Sequence, residues 1–99
     1  MTEQIRRSSG NVFKDLGFPA KEAAHLLIRA DLMIQLTQIL KKRSLTQVRA
    51  ARLLGVSQPR VSDLVRGRID LFSIDSLVEM LARLGVSVSL RARRSKRVA

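Results

Sequence analysis

The chain has 99 residues and a formal net charge of +11, which allows one small domain and favours a polyanionic partner, with nucleic acid ahead of an anionic membrane surface. It has no cysteine, so disulfides and thiolate metal sites are excluded and a reducing cytoplasm is the expected location. Its apolar stretches are too short to cross a bilayer, and its polar start argues against a secretory signal.

The start of the chain divides into a polar arm and an apolar segment. Residues 1–10 are polar with two arginines, which predicts a disordered N-terminal arm. Residues 11–19 contain apolar anchors beside a glycine and a proline. These anchors favour a flap on the chain's own core over a docking segment for another protein, because apolar residues usually pack on their own domain. Both interpretations remain open.

Residues 20–42 have the apolar spacing of a helix, with a clear stripe from Leu32 onward. The first half of this helix is apolar around most of its circumference, which predicts a second contact surface with a twin subunit or another protein. His25 is the only histidine. Without a second histidine or a cysteine to complete a site, it is expected to be a surface residue and not a metal ligand or catalyst.

Residues 44–55 predict a short helix that ends at a glycine. Ser44 or Thr46 can cap its first turn. Gly55 supplies the positive φ that closes a helix without a Cβ penalty. The side chains expected to face the core are Val48, Ala51, Leu53 and Leu54.

A second short helix follows, with Ser57 as its expected cap and Pro59 in its first turn, where the missing N–H is tolerated. Val61, Leu64 and Val65 share its apolar side, which leaves the opposite side polar. A short polar-faced helix supported by another helix is the arrangement with which proteins enter the DNA major groove. The two segments therefore predict a helix-turn-helix.

Beyond the next glycine, Ile69, Leu71 and Phe72 are expected to return to the core. Ser73 can cap a final helix that runs to about Leu84 with apolar residues at helical spacing. Together with the preceding segments, this predicts an all-α bundle of four to five helices.

The end of the chain changes to a period of two. Val86, Val88 and Leu90 alternate with polar residues, which predicts a β-strand. Because a lone strand is unstable in water and the chain offers no second one, pairing with the same strand of a twin subunit is the simplest solution. Residues 91–99 form a basic tail.

Several spaced residues agree with one known pattern: Leu45, Thr46, Gln47, Ala51, Leu54, Gly55, Val56, Ser57, Gln58, Val61, Ser62, Leu64, Arg66 and Gly67. In these residues the chain resembles the Xre-type helix-turn-helix of phage lambda repressor and Cro. The resemblance implies a lambda-repressor-like bundle, here spanning residues 11–90. The chain departs from the pattern at Arg49 and Arg52, where family members often carry acidic residues.

A wider run is similar to the HigA-type antitoxins of bacterial toxin–antitoxin pairs. It includes Asn11 to Phe13, Leu16 to Pro19, Ser57 to Ser62 and Asp70 to Ser73. This resemblance implies repression of the protein's own operon. It also implies a partner toxin, typically a RelE/HigB-like ribosome-dependent endoribonuclease.

The expected DNA contacts lie on and beside the second helix of the helix-turn-helix. The amide of Gln58 can pair bidentately with adenine N6 and N7, and the resembled family reads a base from this position. Gln47 can brace Gln58 and a phosphate, and the amides near Ser57 offer a phosphate site. The alternative for Gln58 is a solvated surface amide. The full expected set is Gln47, Ser57, Gln58, Arg60, Ser62, Arg66 and Arg68.

The sequence therefore predicts a DNA-binding repressor that acts as a homodimer on a palindromic operator, in the cytoplasm with the nucleoid. An antitoxin is the first hypothesis and a stand-alone Xre-family regulator is the alternative. A membrane-surface protein that uses the basic tail is a less favoured third. The chain shows no clustered acid–base set, activated nucleophile or phosphate-cradling loop, so no enzymatic activity, metal or cofactor is expected.

Overall fold

A computed structural model of the chain describes residues 12–92. The disordered arm expected over residues 1–10 and most of the basic tail lie outside this range. The described residues form α1 (Val12–Asp15), α2 (Ala20–Lys42), α3 (Gln47–Leu54), α4 (Gln58–Val65), a short 3₁₀ turn (Ile69–Leu71) and α5 (Ile74–Arg83). The predicted all-helical bundle is confirmed for this part of the chain.

The core of the bundle forms around α2, which has 23 residues and is therefore roughly 34 Å long. It packs against α5, the 3₁₀ turn and α4, while α1 packs beside it. Leu36 on α2 and Leu77 on α5 are fully buried. Leu54, Leu64 and Phe72 bring α3, α4 and the segment before α5 into the same cluster. The helix-turn-helix is thus attached to a single shared core.

α1 differs from the other helices because none of its residues is buried. It packs on α2, and the ring of Phe13 meets that of Phe18 edge to face at 6.2 Å. Leu16 nevertheless stays 70% exposed and Phe18 40% exposed. The segment covers its own domain as a flap would, but it leaves an apolar surface facing outward.

Two hydroxyl caps and one glycine define the helix-turn-helix. Thr46, and not Ser44, caps α3: its Oγ1 accepts from the Arg49 N–H at 3.2 Å. Ser44 instead adopts a left-handed φ of 53°. Gly55 ends α3 with a φ of 71°, and the Ser57 Oγ accepts from the N–H three residues later at 3.3 Å. These details confirm the predicted turn.

The buried sides of the two short helices differ in part from the prediction. On α3, Ala50 is buried, whereas Val48 is 50% exposed and Leu53 44% exposed. The advance of about 100° per residue explains this, because both residues lie at the edges of the stripe centred on Leu54. On α4, Val65 at the last position is also 50% exposed. The expectation that these three residues are core residues is wrong.

The segment before α5 also departs from the prediction at one residue. Phe72 is buried and Ile69 packs partly against the core, but Leu71 is 39% exposed. Ser73 caps α5 as predicted, in a reciprocal capping box with Ser76. At the other end of α5, Nη2 of Arg43 donates to the carbonyl of Leu84 at 3.1 Å. That bond ties the carboxyl ends of α2 and α5 together.

The predicted C-terminal strand does not form within the chain, since residues 84–92 show no regular secondary structure. The alternation itself is visible: Val86 and Val88 pack against the core, while Ser87 and Ser89 are exposed. Leu90 is 64% exposed. Among residues 12–92 no other strand is present to pair with this segment, and an unpaired strand is not stable.

We expect Gly55→Ala and Gly67→Ala each to lower the free energy of unfolding by about 1–2 kcal/mol, because an L-residue is disfavoured in the left-handed region. The two glycines have φ values of 71° and 76°. A Cβ on Gly55 would lie 2.7 Å from the Cζ of Arg83, whereas one on Gly67 would meet nothing within 4 Å. Urea unfolding measures both losses.

Any excess loss in Gly55→Ala over Gly67→Ala then reports the crowding by Arg83. Adding Arg83→Ala to the Gly55→Ala chain should remove that excess and leave the φ penalty. A Gly67→Ala chain as stable as the wild type would contradict the backbone argument.

Candidate nucleic-acid interface

The first turn of α4 presents its polar residues to solvent. Val61 and Leu64 on the opposite side are each 1% exposed and anchor the helix in the core. Gln58 and Pro59 are exposed at its start, and Ser62 is half-buried one turn later. The helix can therefore offer Gln58 to a ligand while its apolar side stays packed.

The remaining predicted contact residues surround this turn. Gln47 is exposed in the first turn of α3, Ser57 caps α4, and Arg66 and Arg68 are exposed just after α4. Because both helices begin here with uncompensated N–H groups and the positive end of the helix dipole, their amino ends suit a phosphate. Pro59 has no N–H, so α4 offers one backbone donor fewer than α3 does.

Arg60 is placed differently from the other predicted residues. Its guanidinium Cζ lies 4.0 Å from the centroid of the Phe72 ring. Its Nη1 donates to the carbonyl of Leu71 at 2.7 Å. The side chain thus points to the segment before α5, a contact that sequence reasoning missed. The one signal in the sequence is that the chain has only three aromatic residues, so that Phe72 is one of few rings on which an arginine could stack.

Charge is distributed unevenly over the described domain. Residues 41–68, which contain the helix-turn-helix, carry eight lysines and arginines and one carboxylate, Asp63. The other described residues, 12–40 and 69–92, carry five basic and six acidic side chains. The positive field of the described domain therefore originates at the helix-turn-helix, which suits a polyanion there.

Neither a cluster of metal-ligating side chains nor a membrane-spanning helix accompanies the helix-turn-helix in the described part of the chain. Residues 12–92 contain no group of three or more histidine, aspartate or glutamate side chains placed to hold a metal ion. Over the same residues, no helix combines the length and apolar character needed to cross a membrane. The polar surface of the helix-turn-helix is the candidate site that sequence and structure share.

Comparison with known proteins agrees with this geometry. A family model described as a helix-turn-helix domain matches residues 12–93. A solved structure named as an XRE family transcriptional regulator is similar, with a TM-score of 0.70 and 28% sequence identity over 79% of this chain and 88% of that chain. No curated protein sequence matches.

The fold and the exposed turn define a helix-turn-helix protein, the class that binds DNA through its second motif helix. The chain belongs to the helix-turn-helix domain family, and its motif is of the Xre type. The predicted resemblance to lambda repressor and Cro is thereby confirmed at the level of the motif. The narrower resemblance to HigA-type antitoxins is not addressed by these matches and stays a prediction.

Proposed function

We propose that the protein is a sequence-specific DNA-binding transcriptional repressor that places α4 in the major groove. The exposure of Gln58 on a helix held from behind by buried Val61 and Leu64 carries this proposal. The concentration of positive charge in residues 41–68 and the name of the similar XRE family structure support it. We place its action in the cytoplasm, on the nucleoid.

The residues near α4 divide by the kind of contact that they would make. Gln58 would read a base edge, preferably adenine, and Gln47 would brace it against the backbone. Ser57, Ser62, Arg66 and Arg68 would bind phosphates and fix the register of the protein on the duplex. Arg60 is not in this set, because its guanidinium already contacts the Phe72 ring and the Leu71 carbonyl.

We propose further that the protein acts as a homodimer on a palindromic operator. Residues 86–90 carry the support for this, because Val86 and Val88 pack on their own core while Leu90 is 64% exposed. Pairing with the same segment of a second copy would satisfy its backbone and bury Leu90. Two motifs spaced by one helical turn would then read two half-sites.

The antitoxin role is the narrower proposal. The resemblance of residues 11–13, 16–19, 57–62 and 70–73 to HigA-type antitoxins supports it. So does the apolar surface of α1, where Leu16 is 70% exposed, since such a surface can bind a protein. The name of the similar structure, an XRE family transcriptional regulator, is equally consistent with the second candidate, a stand-alone transcriptional regulator.

We expect Gln58→Ala to weaken binding to the protein's own operator by roughly 1–3 kcal/mol, the worth of one bidentate base contact, while sparing non-specific duplexes. The operator is first located by footprinting on the promoter of the gene itself. Fluorescence anisotropy then compares operator and scrambled duplexes. Equal losses on both duplexes would remove Gln58 from the base-reading residues.

Arg68→Ala is the matched control for this measurement. It should lower affinity for any duplex and reduce the slope of log K against log salt concentration by about 0.9, the contribution of one phosphate contact. An unchanged slope would show that Arg68 does not bind a phosphate.

We expect Leu90→Ser to raise the dimer dissociation constant at least tenfold, because burying a leucine stabilises an interface by roughly 1.5–3 kcal/mol. Sedimentation equilibrium measures this constant. Leu16→Ser, which alters a leucine of similar exposure on α1, should leave it unchanged. The reverse outcome would place the dimer interface at the amino-terminal end of the molecule.

The antitoxin and the stand-alone regulator differ in whether the protein binds and neutralises a toxin. An antitoxin should co-purify from its native source with a small toxin encoded beside it, and its expression should relieve growth arrest caused by that toxin. Leu16→Ser should weaken the complex if α1 is the docking surface. Native purification that yields the chain without such a partner, and a neighbouring gene product that is harmless, would favour the stand-alone regulator.

A further inference from the structure

Two arginines from different helices hold the segment between α4 and α5. Nη1 of Arg60, on α4, donates to the Leu71 carbonyl at 2.7 Å. Nη1 of Arg29, on α2, donates to the carbonyls of Ile69 and Phe72, both at 3.4 Å. The segment therefore has carbonyl groups bound from both sides, and one of the two arginines belongs to the proposed recognition helix.

The contact of Arg60 with Phe72 is anchored in the core. Phe72 is 2% exposed, so its ring cannot follow a movement of the arginine. The guanidinium lies over that ring at 4.0 Å from its centroid, within the range of a cation–π interaction. A planar guanidinium can stack on the ring and donate to the carbonyl simultaneously, which a lysine ammonium cannot do equally well.

The first turn of α4 is consequently held at two points near Arg60. The backbone N–H of Arg60 donates to the Ser57 Oγ at 3.3 Å, and its side chain is fixed to Leu71 and Phe72. Gln58 lies between Ser57 and Arg60 in the sequence. These contacts, added to the packing of Val61 and Leu64, hold the backbone that carries Gln58.

We propose that Arg60 is a positioning residue that orients the first turn of α4, and with it Gln58, and that it does not bind DNA itself. This inference rests on the proposed function. The guanidinium lies over the Phe72 ring and donates through Nη1 to the Leu71 carbonyl, so swinging it away toward a phosphate or a guanine would give up these contacts. The contacts within the protein thus compete with any contact to DNA.

A phosphate contact and a positioning role of Arg60 predict opposite results for two measurements: the salt dependence of DNA binding and the effect of Arg60→Lys. A phosphate contact contributes about 0.9 to the slope of log K against log salt concentration, on operator and scrambled duplexes alike. Lysine would preserve most of that contact, since it also binds phosphate as a point charge. A positioning contact to a ring and a carbonyl needs the planar guanidinium and adds nothing to the slope.

The test measures Arg60→Lys and Arg60→Met on both duplexes over a range of salt concentrations, with Arg68→Met as the control. We expect both Arg60 variants to bind the operator about tenfold more weakly, equivalent to about 1.4 kcal/mol. Their salt slopes and their affinity for the scrambled duplex should match the wild type. Arg68→Met should lower the slope on both duplexes. A reduced slope in Arg60→Met with wild-type binding by Arg60→Lys would overturn the proposal.

A double-mutant cycle of Arg60→Met and Phe72→Leu measures the coupling between the two residues in operator binding. A general loss of folding would not produce such a coupling. Phe72→Leu should itself weaken operator binding, and Arg60→Met should add little in that background. Additive losses would show that the two residues act separately and would overturn the proposal. Circular dichroism of each variant establishes the temperature below which it is folded, and binding is measured there.

Failure of this inference is distinguishable from failure of the proposed function. If the wild type binds operator and scrambled duplexes equally, sequence-specific binding is refuted. In that case, the free energies of unfolding of the same four chains still measure the coupling between Arg60 and Phe72. Zero coupling energy in that measurement would refute the contact as well.

Discussion

The packing of Val61 and Leu64 on the core built around α2 is the interaction on which the rest of the molecule depends. These two side chains are each 1% exposed, and they are the only buried residues of a helix of eight residues. An isolated helix of that length is not stable in water, so its form and direction come from this packing. The polar side of α4 is available for recognition because Val61 and Leu64 on the opposite side hold the helix on the core.

The described domain separates its positive charge from its exposed apolar surface. Residues 41–68, which include the helix-turn-helix and its flanks, carry all the net positive charge of the described domain, whereas the part formed by α1, the first half of α2 and α5 is close to neutral. The exposed Leu16 and Phe18 lie in the segment between α1 and α2. A polyanion and an apolar protein surface would consequently be attracted to different ends. Proteins that bind two partners without competition need such a separation, and here it follows from where the arginines lie in the sequence.

Much of the helix-turn-helix could be predicted from the sequence, because its turn is built from contacts between residues close together in the chain. Thr46, Gly55 and Ser57 act through neighbours three or four residues away, so their roles in the turn could be inferred from spacing alone. The exposure of Val48, Leu53 and Val65 could not be predicted in this way. These residues lie at the edges of the apolar sides of eight-residue helices, and whether such positions are buried depends on which other elements pack there. The contact of Arg60 with Phe72 joins residues that are distant in the chain, and such pairs are set by the tertiary fold. For the same reason, the sequence shows the alternation of residues 86–90 but not whether this segment pairs with another strand.

The packing of Val86 and Val88 on the core of their own chain has a consequence for how the proposed dimer would assemble. A subunit that already covers this region with its own side chains has no need of a second copy to complete its fold. Assembly would then be a reversible step separate from folding, and the number of chains in the cell would determine how many are paired. Occupancy of a two-part target would rise more steeply than in proportion to abundance, which would let a small domain respond to its own supply.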